Sequence, residues 1–141
     1  MGLARMLVLG IAFVTAVTWG AQSIFAADMG IGAELKVAIT HAGFAQKYDT
    51  QNEVTTHLHH VLNCLVGPSG KMFDAGAGNP CQGMGNGILA DIKAKMGEDQ
   101  EYQVAWWLAT LADDAIKMGN LQQEKAAAHI IEVQLTSMAK M

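Results

Sequence analysis

Residues 55–64 read TTHLHHVLNC, from Thr55 to Cys64. Leu58 and Val61, with Val54 and Leu65 on either side, recur at intervals of three and four, which is the helical period and not the alternation of a strand. The segment therefore predicts a helix from about Gln51 to Val66. Asp49 or Thr50 serves as its cap and Gly67-Pro68 stops it. The stretch also carries three of the chain's five histidines, His57, His59 and His60, with His41 upstream and His129 far downstream.

Working outward, Leu35, Ala38, Ile39, Ala42 and Ala45 predict a preceding helix over about Ile31–Tyr48. A Gly-rich connection runs from Gly67 to Gly87, long enough that it must be functional or tied down. A third helix is expected from near Asn86 to Met118, interrupted at Gly97-Glu98-Asp99, with Val104, Trp107, Leu108, Leu111 and Ala115 as its buried stripe and Trp106 at the stripe's edge. Gly119-Asn120 reads as a stop and turn. A last helix follows over about Leu121–Met138, burying Ala127, Ile131, Leu135 and Met138. The expected fold class is all-α, an up-down-up-down four-helix bundle with a long disulfide-closed loop between helices 2 and 3. A shift of 70 positions lays Ala42, Ala45, Lys47 and His59 onto Ala112, Ala115, Lys117 and His129. Hairpin geometry alone can produce such a match.

The N-terminus sets the compartment. Arg5 precedes an apolar run from Met6 to Trp19, and small residues close the segment at Ala26-Ala27. That is the layout of a secretory signal peptide over residues 1–26, cut after Ala26. The alternative is a retained membrane anchor, but the run is shorter than the roughly 20 residues that span a bilayer. Residues 27–141 then form a single periplasmic or secreted domain of about 115 residues. In an oxidising compartment the chain's two cysteines, Cys64 and Cys81, are expected to pair, stapling the loop by about 3 kcal/mol on the chain-entropy account. The net charge of −4 becomes one unit more negative once Arg5 is lost, and no basic block is present, so nucleic acid is not an expected partner.

Four histidines within positions 41–60 point to transition-metal chemistry, because imidazole is the commonest protein ligand for such ions. His57 and His60 lie one helical turn apart. If the chain reverses near Asp49, His41 on the preceding helix comes opposite them. The expected ligands are His41, His57 and His60, with Glu53 and His59 as possible additions, and the expected ion is copper or zinc. The competing expectation is that these are boundary histidines bonded to their neighbours. His59 shares a face with Asn52, Thr56 and Asn63, and His129 with Lys125 and Glu132, so both are expected in solvent. Met72 and Met84 in the loop are softer candidates for Cu(I), but more simply fill gaps.

The segments HAGFAQKYDTQNE (41–53), HLHH (57–60) and AIKMGNLQQEKAAAH (115–129) resemble small exported helical-bundle proteins that bind divalent metals in the periplasm. The resemblance implies a non-enzymatic metal-binding role. Two other functions are compatible with the same residues. One is an envelope interaction module that docks a protein partner through loop 67–87 and Trp106. The other, weaker, is a b-type haem bundle. No nucleophile–base pair or paired acids point to an enzyme. Asp113 and Asp114 are adjacent in sequence and point apart on a helix.

Overall fold

The computed structural model describes residues 22–141, with burial described from Gly30 onward. The apolar run expected to be a leader lies outside the described residues. Among those described, the chain forms five α-helices and no strand: α1 (Gln22–Lys47), α2 (Gln51–Val66), α3 (Ile88–Met96), α4 (Gln100–Met118) and α5 (Leu121–Met138). None of them is long and apolar enough to cross a membrane. α1 begins earlier than the expected Ile31, and the interrupted third helix is two separate helices.

Each break has a local cause. Thr50 caps α2 by accepting from the Glu53 amide, and the Glu53 carboxylate takes the Thr50 hydroxyl in return, a reciprocal arrangement related to the capping box. Gly97 ends α3, and two residues later the Asp99 side chain caps α4 through the Tyr102 amide. Gly119 closes α4 in the left-handed conformation, with φ 62°, and Asn120 then accepts from the Gln122 and Gln123 amides to start α5.

α1 and α4 each pack on both α2 and α5, while α3 fits against α1, α2 and α4. The shared core contains Leu58, Val61, Leu62 and Leu65 of α2, Leu108 of α4, and Ile131 and Leu135 of α5, all essentially inaccessible. Against them α1 presents Ala38, Ala42 and Ala45, and α4 presents Ala105, Ala109 and Ala112. Small side chains let the helix backbones approach closely, and the leucines of α2 fill what remains. A Leu58→Ala change would leave a cavity here and cost about 2–5 kcal/mol.

The buried face of α4 differs from the expected one. Ala105, Leu108, Ala109, Ala112 and Ala115 are buried, whereas Trp107 is 50% exposed and Trp106 49%. Two overlapping stripes with helical spacing exist in this segment, one residue apart. The alanine stripe faces the bundle because a tryptophan would hold α4 away from α2 and α5.

The loop between α2 and α3 is closed at both ends. The expected Cys64–Cys81 disulfide is present, with Cα atoms 5.3 Å apart. At the loop's neck Gly67 (φ 66°) and Gly87 (φ 104°) cross so tightly that a Cβ on Gly67 would sit 1.8 Å from the Asn86 carbonyl. Only glycine fits there.

Candidate metal centre

α1 and α2 form a hairpin that reverses at Tyr48–Thr50, and this register carries His41 onto His57 and His60. His41 Nδ1 lies 2.9 Å from His57 Nδ1 and 3.2 Å from His60 Nδ1. One ring nitrogen from each of the three lies within 4.8 Å of the others, and all three side chains are half-buried. A tetrahedral ion with metal–nitrogen bonds of 2.0–2.1 Å separates its ligand nitrogens by about 3.3 Å. The two close Nδ1 contacts are within a few tenths of an ångström of that spacing.

The surroundings fix the rings. His60 Nε2 is 2.8 Å from the Ala77 carbonyl oxygen. A carbonyl only accepts, so Nε2 carries the proton, and in the neutral ring Nδ1 presents its lone pair to His41. On the other side Tyr48 stacks on His57, with centroids 5.0 Å apart and planes 16° from parallel, and Phe44 lies against both His41 and His57. Phe44 and Tyr48 follow His41 at helical spacing, so the last turns of α1 and the residue just past its end supply a ligand candidate and two aromatic walls.

Protonation is disfavoured. Burial, followed by the neighbouring His60 and His57 rings, pushes His41 down to about 4. His57 is also lowered, mainly by burial and next by His60, against a smaller opposing pull from Glu53. A cation is poorly tolerated in a half-dry site beside other potential cations, so His41 and His57 resist protonation and keep lone pairs to share.

The remaining candidates stand elsewhere. Glu53 is engaged with Thr50 at the helix cap and is not among the converging groups. His59 points to the far side of α2, where its Nδ1 is 3.6 Å from the Asp74 carboxylate and finds no hydrogen-bond partner among the described residues. The face it occupies is not the solvated one expected: Asn63, on the same face, is completely buried beneath the loop. His129 is exposed, as expected, and its Nδ1 lies 3.1 Å from Gln46 Oε1. Both cysteines are consumed in the disulfide.

Asn63 is the residue whose importance sequence reasoning missed. Its Nδ2 donates to the carbonyls of Asp74 (2.7 Å) and Gly78 (2.6 Å), and its Oδ1 accepts from the Asp74 amide at 2.9 Å. It thereby holds the short 3-10 turn Ala75–Ala77 against α2. His60, Asn63, Cys64 and Gly67 follow one another at i, i+3, i+4 and i+7, and each touches the loop or forms its neck. An amide side chain beside a cysteine at the start of a Gly-rich loop is the only signal that could have exposed this.

Three further acids are buried, Glu34, Asp91 and Glu124. Glu124 of α5 accepts from Gln51 and, at 2.8 Å, from the Thr55 hydroxyl. Glu34 of α1 accepts from the Gly87 amide at 3.0 Å, and its second oxygen has no hydrogen-bond partner among the described residues. Burial, with a smaller contribution from Asp91, pushes Glu34 up to about 7 despite the opposing Gly87 hydrogen bond. Asp91 accepts from the Asn86 amide and side chain. Glu34 and Asp91 knit the far end of the loop to α1 and α3.

No protein-family model, characterised protein or solved structure matches this chain.

Proposed function

We propose that the protein is an exported, non-enzymatic binder of a transition-metal ion, zinc or copper, held by Nδ1 of His41, His57 and His60. The observation that carries this reading is the convergence of three imidazole nitrogens, two of them 2.9 and 3.2 Å from the third. Without an ion these contacts are ring-to-ring hydrogen bonds, and a cation that displaces the shared proton turns each Nδ1 lone pair into a metal bond. The Ala77 carbonyl acts as the outer partner that orients a ligating histidine. The leader-like N-terminus supports export as part of this proposal, and the disulfide agrees with an oxidising compartment. In this reading the four long helices form an up-down bundle with α3 as an insertion, and the hairpin α1–α2 is its metal-binding half.

The test is the metal content of protein purified without an affinity tag, followed by uptake of added zinc or copper. Near-stoichiometric metal that is lost in His57→Ala and kept in His129→Ala supports the reading. Protein that neither carries nor takes up either metal contradicts it. The exposed Trp106–Trp107 pair favours a second reading, an accessory subunit that docks an envelope protein through α4 and the loop. Stable co-purification of a partner with metal-free protein, lost on Trp106→Ala, would favour that one.

A further inference from the structure

We infer that the ion held by the triad keeps one coordination position open to solvent and takes a small monoanion there. This rests on the metal reading above and extends it from holding an ion to the binding of an exogenous ligand on that ion. Among the described histidines, cysteines and acids, only His41, His57 and His60 converge. The other histidine, cysteine and acid candidates nearby are committed: Cys64 to Cys81, Glu53 to Thr50, and His59 to the opposite side of α2 next to Asp74. Zinc sites with a purely structural role are closed by four protein ligands, whereas three protein ligands leave a place for water or another ligand.

Charge decides what fills that place. Three neutral imidazoles leave a divalent ion with its full two positive charges, because no carboxylate belongs to the cluster. The site is half-buried and walled by Phe44 and Tyr48, so these charges are less screened than in open water. An anion in the fourth position offsets part of that charge, and water does not. His41 also borders a surface groove of about 500 Å³ lined by Lys36, Thr40, Pro80 and Met84. Lys36 adds positive potential on that side, which favours approach of an anion over a cation. The ligand class is therefore a small, singly charged, metal-coordinating anion.

The test loads the mature protein with Co²⁺, whose visible bands report its coordination, and titrates azide. The open position predicts bands that change in position and intensity and saturate at one azide per cobalt. His129→Ala should behave identically, and His57→Ala, with unchanged far-ultraviolet circular dichroism, should lack the bands. Cobalt bands that need His57 but do not respond to azide would overturn the open position and leave the metal reading standing. Failure to take up cobalt at all would overturn both.

Discussion

The ring nitrogen Nε2 of His60 lies 2.8 Å from the carbonyl oxygen of Ala77, and this one contact joins the histidine cluster to the disulfide loop. It settles which nitrogen of His60 is protonated, and so which one faces His41. Ala77 in turn is held in place by Asn63 on either side of it, through Asp74 and Gly78, and by the disulfide beyond. The loop is therefore part of the candidate metal centre.

Opening the disulfide should thus affect more than stability. The double variant Cys64→Ser/Cys81→Ser is expected to lose about 3 kcal/mol of stability. Its zinc affinity should also fall by roughly 10–100-fold, the usual effect of removing an outer-shell partner. Thermal melts and a competition titration with a chromophoric chelator measure the two separately. Lower stability with unchanged affinity would show that the loop does not orient His60.

Asn63→Ala should be among the most damaging single changes outside the apolar core. It removes three partly buried hydrogen bonds to the backbone of Asp74 and Gly78 and leaves a gap at the fully buried Asn63 position, for an expected cost of about 1–3 kcal/mol. Asn52→Ala, on the same helix but exposed, should stay within about 0.5 kcal/mol of the parent. Urea unfolding compares them. Equal effects would mean the clamp contributes nothing.

Two glycines should respond oppositely to alanine. A Cβ on Gly85 would fall 2.1 Å from an Asp91 oxygen and 2.8 Å from a Glu34 oxygen, so Gly85→Ala must displace the buried carboxylates and should destabilise the fold by about 1–3 kcal/mol. A Cβ on Gly32, mid-helix and exposed, meets nothing within 4 Å. Gly32→Ala should therefore stabilise α1 by about 0.5–1 kcal/mol. Melting temperatures that move in the same direction would contradict the packing described at the loop's far end.

Stability should depend on pH through two groups with opposite signs. Glu34 is raised from 4.5 to about 7, so the folded state holds its proton longer than the unfolded one. Its contribution is complete below about pH 4.5 and is lost as pH rises through about 7. His41 is lowered from 6.5 to about 4, so the unfolded state binds the proton more readily. Its contribution is complete above about pH 6.5 and is lost as pH falls towards 4. Glu34→Gln removes the first effect only. Metal-free Glu34→Gln should therefore gain more melting temperature over the parent at pH 8 than at pH 5. An equal difference at the two values would show that Glu34 titrates normally.

Much of the helical layout was legible because its signals are local. The spacing of Val54, Leu58, Val61 and Leu65 marked α2, and Gly119-Asn120 marked the α4–α5 turn within a residue. The pairing of His41 with His57 followed from placing the hairpin turn at Asp49, since an antiparallel register then fixes which residues meet. What local signals do not carry is the path of the loop. Asn63 and His59 share a face with Asn52 and Thr56, and composition makes that face look solvated. The loop folds back over its C-terminal half and buries Asn63, a long-range event that no periodicity encodes. The face of α4 was similarly ambiguous, because the stripes through Trp107 and through Ala105 have equal spacing. How closely α4 must approach α2 and α5 settles which one is buried.

The central claim is that three Nδ1 atoms, and not merely three histidines, form the site. Long-range ¹H–¹⁵N correlation spectra of the imidazole rings, recorded before and after one equivalent of Zn²⁺, test it directly. The account predicts that Nδ1 of His41, His57 and His60 shift together at one equivalent, that His60 Nε2 keeps its proton, and that His59 and His129 do not respond. Rings that are unchanged at one equivalent, or zinc bound through Nε2 of His60, would contradict it.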